Sequence, residues 1–279
     1  MTHAITPSPL YAGWQRLLAD EASRRPGPPL FPRDAAAKLG VSEGELLASA
    51  CGGQGSVRLQ GDPADLLSRL AGSEATVIVR NEAAIVERTC IWSHQGGAVL
   101  TGPGSRLDLD AVGIGLVLAV EQESGPAGFR RSLQFFDRSG RAICKCFGID
   151  SAVLSEIRSA HTHADQGCVG IVQAGWRPAS PPAAAEIQPG SAIDIALAEA
   201  AADGVPRHLR VGNGVATLEV TQRIQRVVPM HGFLNILDPG LDVHLRPELC
   251  SSQGRDATTG AQRYGVGHDG IAISRRDQA

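Results

Sequence analysis

The sequence predicts an α+β fold: two tandem copies of a helices-plus-antiparallel-sheet unit, the second copy incomplete. Three observations predict it. Helical spacing gives way near residue 72 to short Val- and Ile-rich runs separated by Gly and Pro turns. The same order, a helix and then strands, returns from residue 192. The two stretches also resemble one another. Val79-Arg80-Asn81-Glu82 matches Val211-Gly212-Asn213-Gly214, and Gly104-Ser105-Arg106-Leu107-Asp108-Leu109 matches Asp238-Pro239-Gly240-Leu241-Asp242-Val243. A repeat of about 130 residues is too long for a solenoid. No counterpart of residues 131–147 is visible after Arg246, which is why the second copy reads as incomplete.

Apolar positions at helical spacing predict a helix over 11–25, ended by the prolines from Pro26 to Pro32. Residues 33–40 make a short helix stopped by Gly40. Ser42 and Glu45 have capping-box spacing and open another through Ala50. Asp62 and Pro63 begin a helix over 62–71. Strands are predicted at 75–80, 84–92, 97–101, 115–121, 130–136 and 141–147, with a hairpin turn at Asp137-Arg138-Ser139-Gly140. Helices follow at 151–161 and 192–202, then strands at 207–212, 215–221, 223–228, 233–237 and 241–245. The domain reading is a first copy over 1–166, a Pro/Ala-rich linker over 167–190, a partial second copy over 191–250, and a mobile Gly-rich tail over 251–279.

Composition narrows the function. A net charge of −3 argues against a surface that neutralises many phosphates, and 4% aromatic residues argue against a base-stacking platform. Residues 33–50 have the outline of a helix-turn-helix, but its second helix would carry Glu43 and Glu45 and no base, so DNA readout is not expected. No apolar run approaches the roughly 20 residues that span a bilayer, and no secretory signal is visible. With six sparse cysteines, a reduced cytoplasmic protein is the expectation. Phosphate-binding and nucleophile-elbow motifs are absent.

The densest ligand-type cluster is His161-x-His163 with Asp165, but His residues two apart do not share a helical face, so a polar helix end is the simpler reading. Cys144-x-Cys146 places both sulfurs on one strand face without the second pair that a zinc site needs. His94, His208, His231, His244 and His268 are scattered singly; one of them could ligate iron, since neutral imidazole is the usual proximal haem ligand.

Four segments together resemble the bacterial haem-utilisation proteins of the HemS/ChuS type, the hemin-degrading factors: residues 33–47, Val79-Arg80-Asn81-Glu82, Arg131-Ser132-Leu133-Gln134-Phe135-Phe136-Asp137 with Gly140 and Lys145, and residues 228–239 with His244-Leu245-Arg246. The resemblance covers roughly 11–166 and 194–250. It implies two antiparallel sheets with helices, haem as the bound group, and a cytoplasmic role in iron acquisition. Its implied partners are haem, an inner-membrane haem importer and a haem oxygenase, with some members opening the macrocycle themselves. The family's axial His, seven residues after a Trp-Arg pair, falls here on Ala183 after Trp176-Arg177, and its distal Arg falls on Asp110. Two further family His positions are Val86 and Cys144, and the propionate-binding segment expected after His244 is not recognisable. If haem binds, Arg106, near the expected distal position, and Arg210, on a strand of the second half, are the expected cofactor-binding residues, because arginine offers a planar bidentate donor to a carboxylate. No catalytic residue and no metal ligand is assigned. The alternative expectation is a non-catalytic scaffold of the same fold that binds no haem.

Overall fold

The computed structural model describes residues 8–24, 30–53, 55–123, 128–167, 190–255, 260–266 and 269–275. In chain order its elements are α1 Pro9–Arg24, α2 Pro32–Leu39, α3 Glu43–Ala48, β1 Ser56–Leu59, α4 Pro63–Ser68, β2 Glu74–Arg80, β3 Ala84–Ile91, β4 Ser93–His94, β5 Val99–Gly102 and β6 Ser105–Leu109. Then come β7 Leu116–Glu123, β8 Phe129–Phe136, β9 Ala142–Phe147, α5 Ser151–His161, α6 Ala192–Asp203, β10 Arg207–Gly212 and β11 Ala216–Gln222. The chain ends with β12 Val227–Met230, β13 Phe233–Asp238, β14 Leu241–Leu245, β15 Ser252–Arg255, β16 Gln262–Val266 and β17 Asp269–Arg275. This is the predicted α+β class with antiparallel sheets. The chain forms two compact units, Met1–Asp62 with Val112–Pro182, and Pro63–Ala111 with Ala183–Ala279.

In the first unit, β1, β7, β8 and β9 pair antiparallel in that order. Helices α1 to α3 cover an apolar cluster that includes Trp14, Leu46, Leu118 and Phe136. Leu46 and Leu47 are fully buried, each worth about 1.5–3 kcal/mol relative to exposure. The predicted capping box is present: the Ser42 hydroxyl accepts from Glu45 N at 3.1 Å, and Glu45 Oε2 accepts from Ser42 N at 2.8 Å. Helix α3 is pressed onto the β8–β9 turn, where Gly44 N–H donates to Gly140 O at 2.9 Å. Glu43, 1% exposed at its side chain, is ion-paired with Lys145 of β9. A helix buried this way cannot enter a DNA groove.

In the second unit one sheet has the order β2-β3-β14-β13-β12, and the other the order β15-β16-β17-β10-β11-β6-β5-β4. Their apolar faces pack together, β10 and β11 against β2 and β3. Two hairpins, β2–β3 and β10–β11, stand in matching positions and are locked to one another by asparagine. Asn81 Oδ1 accepts from Ala83 N and Ala84 N, while its Nδ2 donates to Gly212 O at 2.9 Å and Gly270 O at 2.8 Å. Asn213 Oδ1 accepts from Val215 N and Ala216 N, while its Nδ2 donates to Arg80 O at 3.1 Å. Each side chain thus closes its own turn and reaches the carbonyl just before the other asparagine.

Each hairpin takes its next strand from the other half of the sequence. β6 pairs with β11, and β14 pairs with β3. Gly104 O accepts from Thr221 N, and Gly240 O accepts from Thr89 N. Both glycines have positive φ, +63° and +72°, and a Cβ there would lie 2.6 Å from Thr221 O or 2.9 Å from Thr89 O. This register matches Gly104 with Gly240, two residues away from the match read in the sequence. The exchange also explains why the compact units cut across the copies 1–166 and 191–250.

The predicted mobile tail is a correction. Its described residues form β15, β16 and β17, with β17 paired to β10. Alternating Ile271 and Ile273, both buried, drive that pairing. The second half therefore carries a three-stranded meander as the first does with β7–β9, and strands β16 and β17 stand where the sequence showed no counterpart of residues 131–147. Most of the predicted linker, including Trp176, Arg177 and Ala183, lies outside the described residues.

Candidate functional site

Strand alternation puts Leu209 and Val211 of β10, and Leu218 and Val220 of β11, into the core. The residues between them face outward. Across the outward face of the eight-stranded sheet one row reads Arg263, Ala272, Arg210, Glu219, Arg106, Thr101 in cross-strand register. The predicted pair is thus brought together: Arg106 and Arg210 flank Glu219 two strands apart, roughly 9–10 Å between backbones. Both are exposed and both hold a carboxylate. Arg106 grips Asp108 with Nε and Nη2 at 2.7 and 2.8 Å, and Arg210 Nε reaches Glu219 Oε1 at 3.1 Å. The hydrogen bonds that Arg106 donates to Asp108, with that carboxylate's charge, hold its guanidinium more firmly protonated than usual. These exposed pairs contribute little to stability, so exchanging Asp108 or Glu219 for a ligand carboxylate costs little.

Arg263 joins this row on β16 and was not anticipated. The signal is present, since Gln262-Arg263-Tyr264 is followed by the alternation Ile271-Ala272-Ile273-Ser274, but the Gly-rich composition around it masks it. The next row reads Ser274, His208, Thr221. His208 is half-buried, and its Nδ1 lies 3.1 Å from Thr221 Oγ1. The floor around these long side chains is made of small residues: Ala272, Thr217, Thr221, Thr101 and Ser274.

The matching rows on the other sheet carry different chemistry. Ile78, Glu87 and Asp242 stand in register where Arg210, Glu219 and Arg106 stand on the eight-stranded sheet. Thr76 and Thr89, with hydroxyls 2.7 Å apart, stand where His208 and Thr221 do. The same scaffold thus presents two acids and no arginine on one row, and two arginines and one acid on its counterpart.

The other sequence candidates disperse. His163 Nδ1 accepts from Asp165 N at 3.0 Å, and the His161 ring is packed against Gly61, so the two do not converge. Among the described residues no group of three or more His, Cys, Asp or Glu can hold a metal ion. Cys144 and Cys146 are both buried on one face of β9, and their mutual hydrogen bond with burial pushes the Cys144 thiol far up. Burial pushes Cys250 up to about 12. Val86 is core, and Asp110 donates its N–H to Val215 O at 2.7 Å. Arg255, Arg275 and Arg207 line a separate open cleft with Glu199 and Asp203, where Asp203 Oδ2 accepts from Arg207 and Arg275 at 2.7 and 2.8 Å.

Two stacked antiparallel sheets with flanking helices, one outward face carrying Arg263, Arg210 and Arg106, define an α+β protein. Residues 40–162 match the family model of the haemin-degrading HemS.ChuX domain, so the HemS/ChuS resemblance read in the sequence is shown. The chain is similar to holo-PhuS, a heme-binding protein from Pseudomonas aeruginosa, at 25% identity and a TM-score of 0.78, over 98% of this chain and 94% of that one. It shares its fold with ChuS, a heme degrading enzyme of Escherichia coli O157:H7, at 22% identity and a TM-score of 0.76, over 96% and 93% of the two chains. No curated protein sequence matches the chain. Among the described residues no helix is long and apolar enough to cross a membrane.

Proposed function

We propose that this chain binds haem on the outward face of its eight-stranded sheet and carries it in the bacterial cytoplasm during iron acquisition. The observation that carries the reading is the contrast between the two matching rows. An acidic Ile78-Glu87-Asp242 row would repel the propionates of haem, whereas Arg210 and Arg106, with Arg263 beyond Ala272, offer planar donors to them. The floor of small side chains leaves a flat bed for a macrocycle. Arg106 and Arg210 hold the propionates in place of Asp108 and Glu219, and Arg263 supplies a third cation from the segment after His244. The matched hairpins, the reciprocal asparagines and the exchanged strands support an internal duplication in which only the second face has become cationic. Haem would arrive from an inner-membrane importer and leave for a haem oxygenase.

The test is a hemin titration of the full chain followed through the Soret region. A saturable one-to-one band shift is expected. Absorbance that rises only linearly with hemin would sink the reading and leave a scaffold that binds no haem.

A further inference from the structure

We propose that His208 is the side chain of this protein that ligates the haem iron, in place of the residue whose family position is Ala183. The inference rests on the haem reading above and adds the atom that binds the metal.

The fold does not need an imidazole at this position. At the matching place in the first hairpin, Thr76 and Thr89 make the same cross-strand contact with two hydroxyls, 2.7 Å apart. In the second hairpin the partner threonine is kept as Thr221, and only the β10 residue differs. The described contact of the His208 ring is made through Nδ1, at 3.1 Å from Thr221 Oγ1, and no described residue bonds Nε2. When Nδ1–H donates to Thr221, Nε2 carries the lone pair, and the hydroxyl fixes the ring's orientation as an outer partner does for a ligating histidine.

Position supports the assignment. His208 and Arg210 are two apart on β10 and project from the same face, so a group held at His208 would lie beside the arginine row. The register neighbours of His208, Ser274 and Thr221, are small and leave room for a ring plane.

The other described histidines are placed differently. His94 Nε2 is bonded to Gly97 O at 2.8 Å, and His231 sits in the β12–β13 turn with φ +55°. His244 is the instructive comparison. Its Nδ1 lies 2.6 Å from Asn235 Oδ1, and Asn235 Nδ2 donates to Val228 O, Met230 O and Phe233 O, so the amide orientation is fixed. Its Nε2, however, faces Glu87 at 3.9 Å on the face that also carries Asp242. That is a poor seat for a ligand with two carboxylates.

The experiment uses the full chain, His208→Thr and His244→Ala. His208→Thr recreates the threonine pair of the first hairpin and keeps the fold, which far-UV circular dichroism checks. Hemin and metal-free protoporphyrin IX are titrated in parallel. His208→Thr is expected to weaken hemin binding about tenfold or more, to abolish the imidazole-ligated Soret spectrum, and to regain that spectrum on addition of free imidazole. Its affinity for metal-free protoporphyrin is expected to be unchanged, because only the carboxylate contacts act there. His244→Ala is expected to behave as the parent chain. If the parent binds hemin and His208→Thr keeps the same spectrum and affinity, the assignment of His208 is overturned while the haem reading stands. A parent chain with no saturable hemin binding overturns both.

Discussion

The β2–β3 and β10–β11 hairpins share a backbone and differ in surface. Both close with an asparagine turn, both receive a strand from the opposite half of the sequence, and both end that exchange on a glycine held against a threonine carbonyl. Their outward rows nevertheless carry Ile78, Glu87 and Asp242 on one side and Arg210, Glu219 and Arg106 on the other. What is common between them is therefore what the fold requires, and what differs is free to serve a ligand. By that measure the asparagines are structural, and the arginines with His208 are the positions we propose for the ligand. A reading of the second face alone could not have separated the two.

The shared part breaks most severely. Asn81 makes four hydrogen bonds to backbone groups, two within its own turn and two to Gly212 and Gly270. Asn81→Ala leaves several buried polar groups unpaired and is expected to destabilise the chain by about 3–5 kcal/mol. Asn213→Ala removes the matching turn bonds to Val215 N and Ala216 N and the donation to Arg80 O, and a loss of about 2–5 kcal/mol is expected. Urea unfolding of both variants checks this, and a loss under about 1 kcal/mol for either would contradict the account.

The differing part is expected to behave in the opposite way. Grafting the first row onto the second, Arg210→Ile with Arg106→Asp, should leave stability within about 1 kcal/mol, because exposed ion pairs are worth little. Hemin affinity should fall on the order of a hundredfold, the loss of two charge-assisted contacts. If the double variant unfolds at much lower urea, the arginines are structural and the contrast between rows has been misread.

How far the sequence revealed this follows from the range of each interaction. Periodic segments were legible: the α5 and α6 spans, the Ser42 capping box and the 207–212 strand rest on local signals. The short β1, with only Ser56 and Leu59 buried, has too little pattern to be seen. The strands of the tail were hidden because β15 is exposed at every residue and Gly-rich turns surround β16 and β17. Arg106 and Arg210 are visible in the sequence as candidates, but their common face depends on register through Glu219, and register is set by pairing between distant segments. The partner of His208 and the row of Arg263 are invisible for the same reason.

The smallest expected effect lies where the hairpins are anchored. The start of β2 is held by the buried Trp92, whose Nε1–H donates to Ala75 O at 2.9 Å. The start of β10 is held by charge: Asp203, at the end of α6, accepts from Arg207 and Arg275. The Arg207 hydrogen bond, then the Val205 N–H, and the charge of both arginines hold its carboxyl down to about 2, against the usual 3.8. A carboxyl whose folded pKa is depressed contributes stability that is fully present above its unfolded pKa and is lost as pH falls through the folded one. The contribution of Asp203 is therefore complete above about pH 4 and fades between pH 4 and pH 2, while that of the Trp92 hydrogen bond does not vary over this range. Thermal melts of the parent and Asp203→Asn from pH 5 down to pH 2 should show a difference in Tm that is constant above pH 4 and closes toward pH 2. The matching Trp92→Phe difference should stay level throughout. An Asp203→Asn difference that widened on acidification would mean that the carboxyl is not held by its arginines, and that the second hairpin is anchored by something other than this charge cluster.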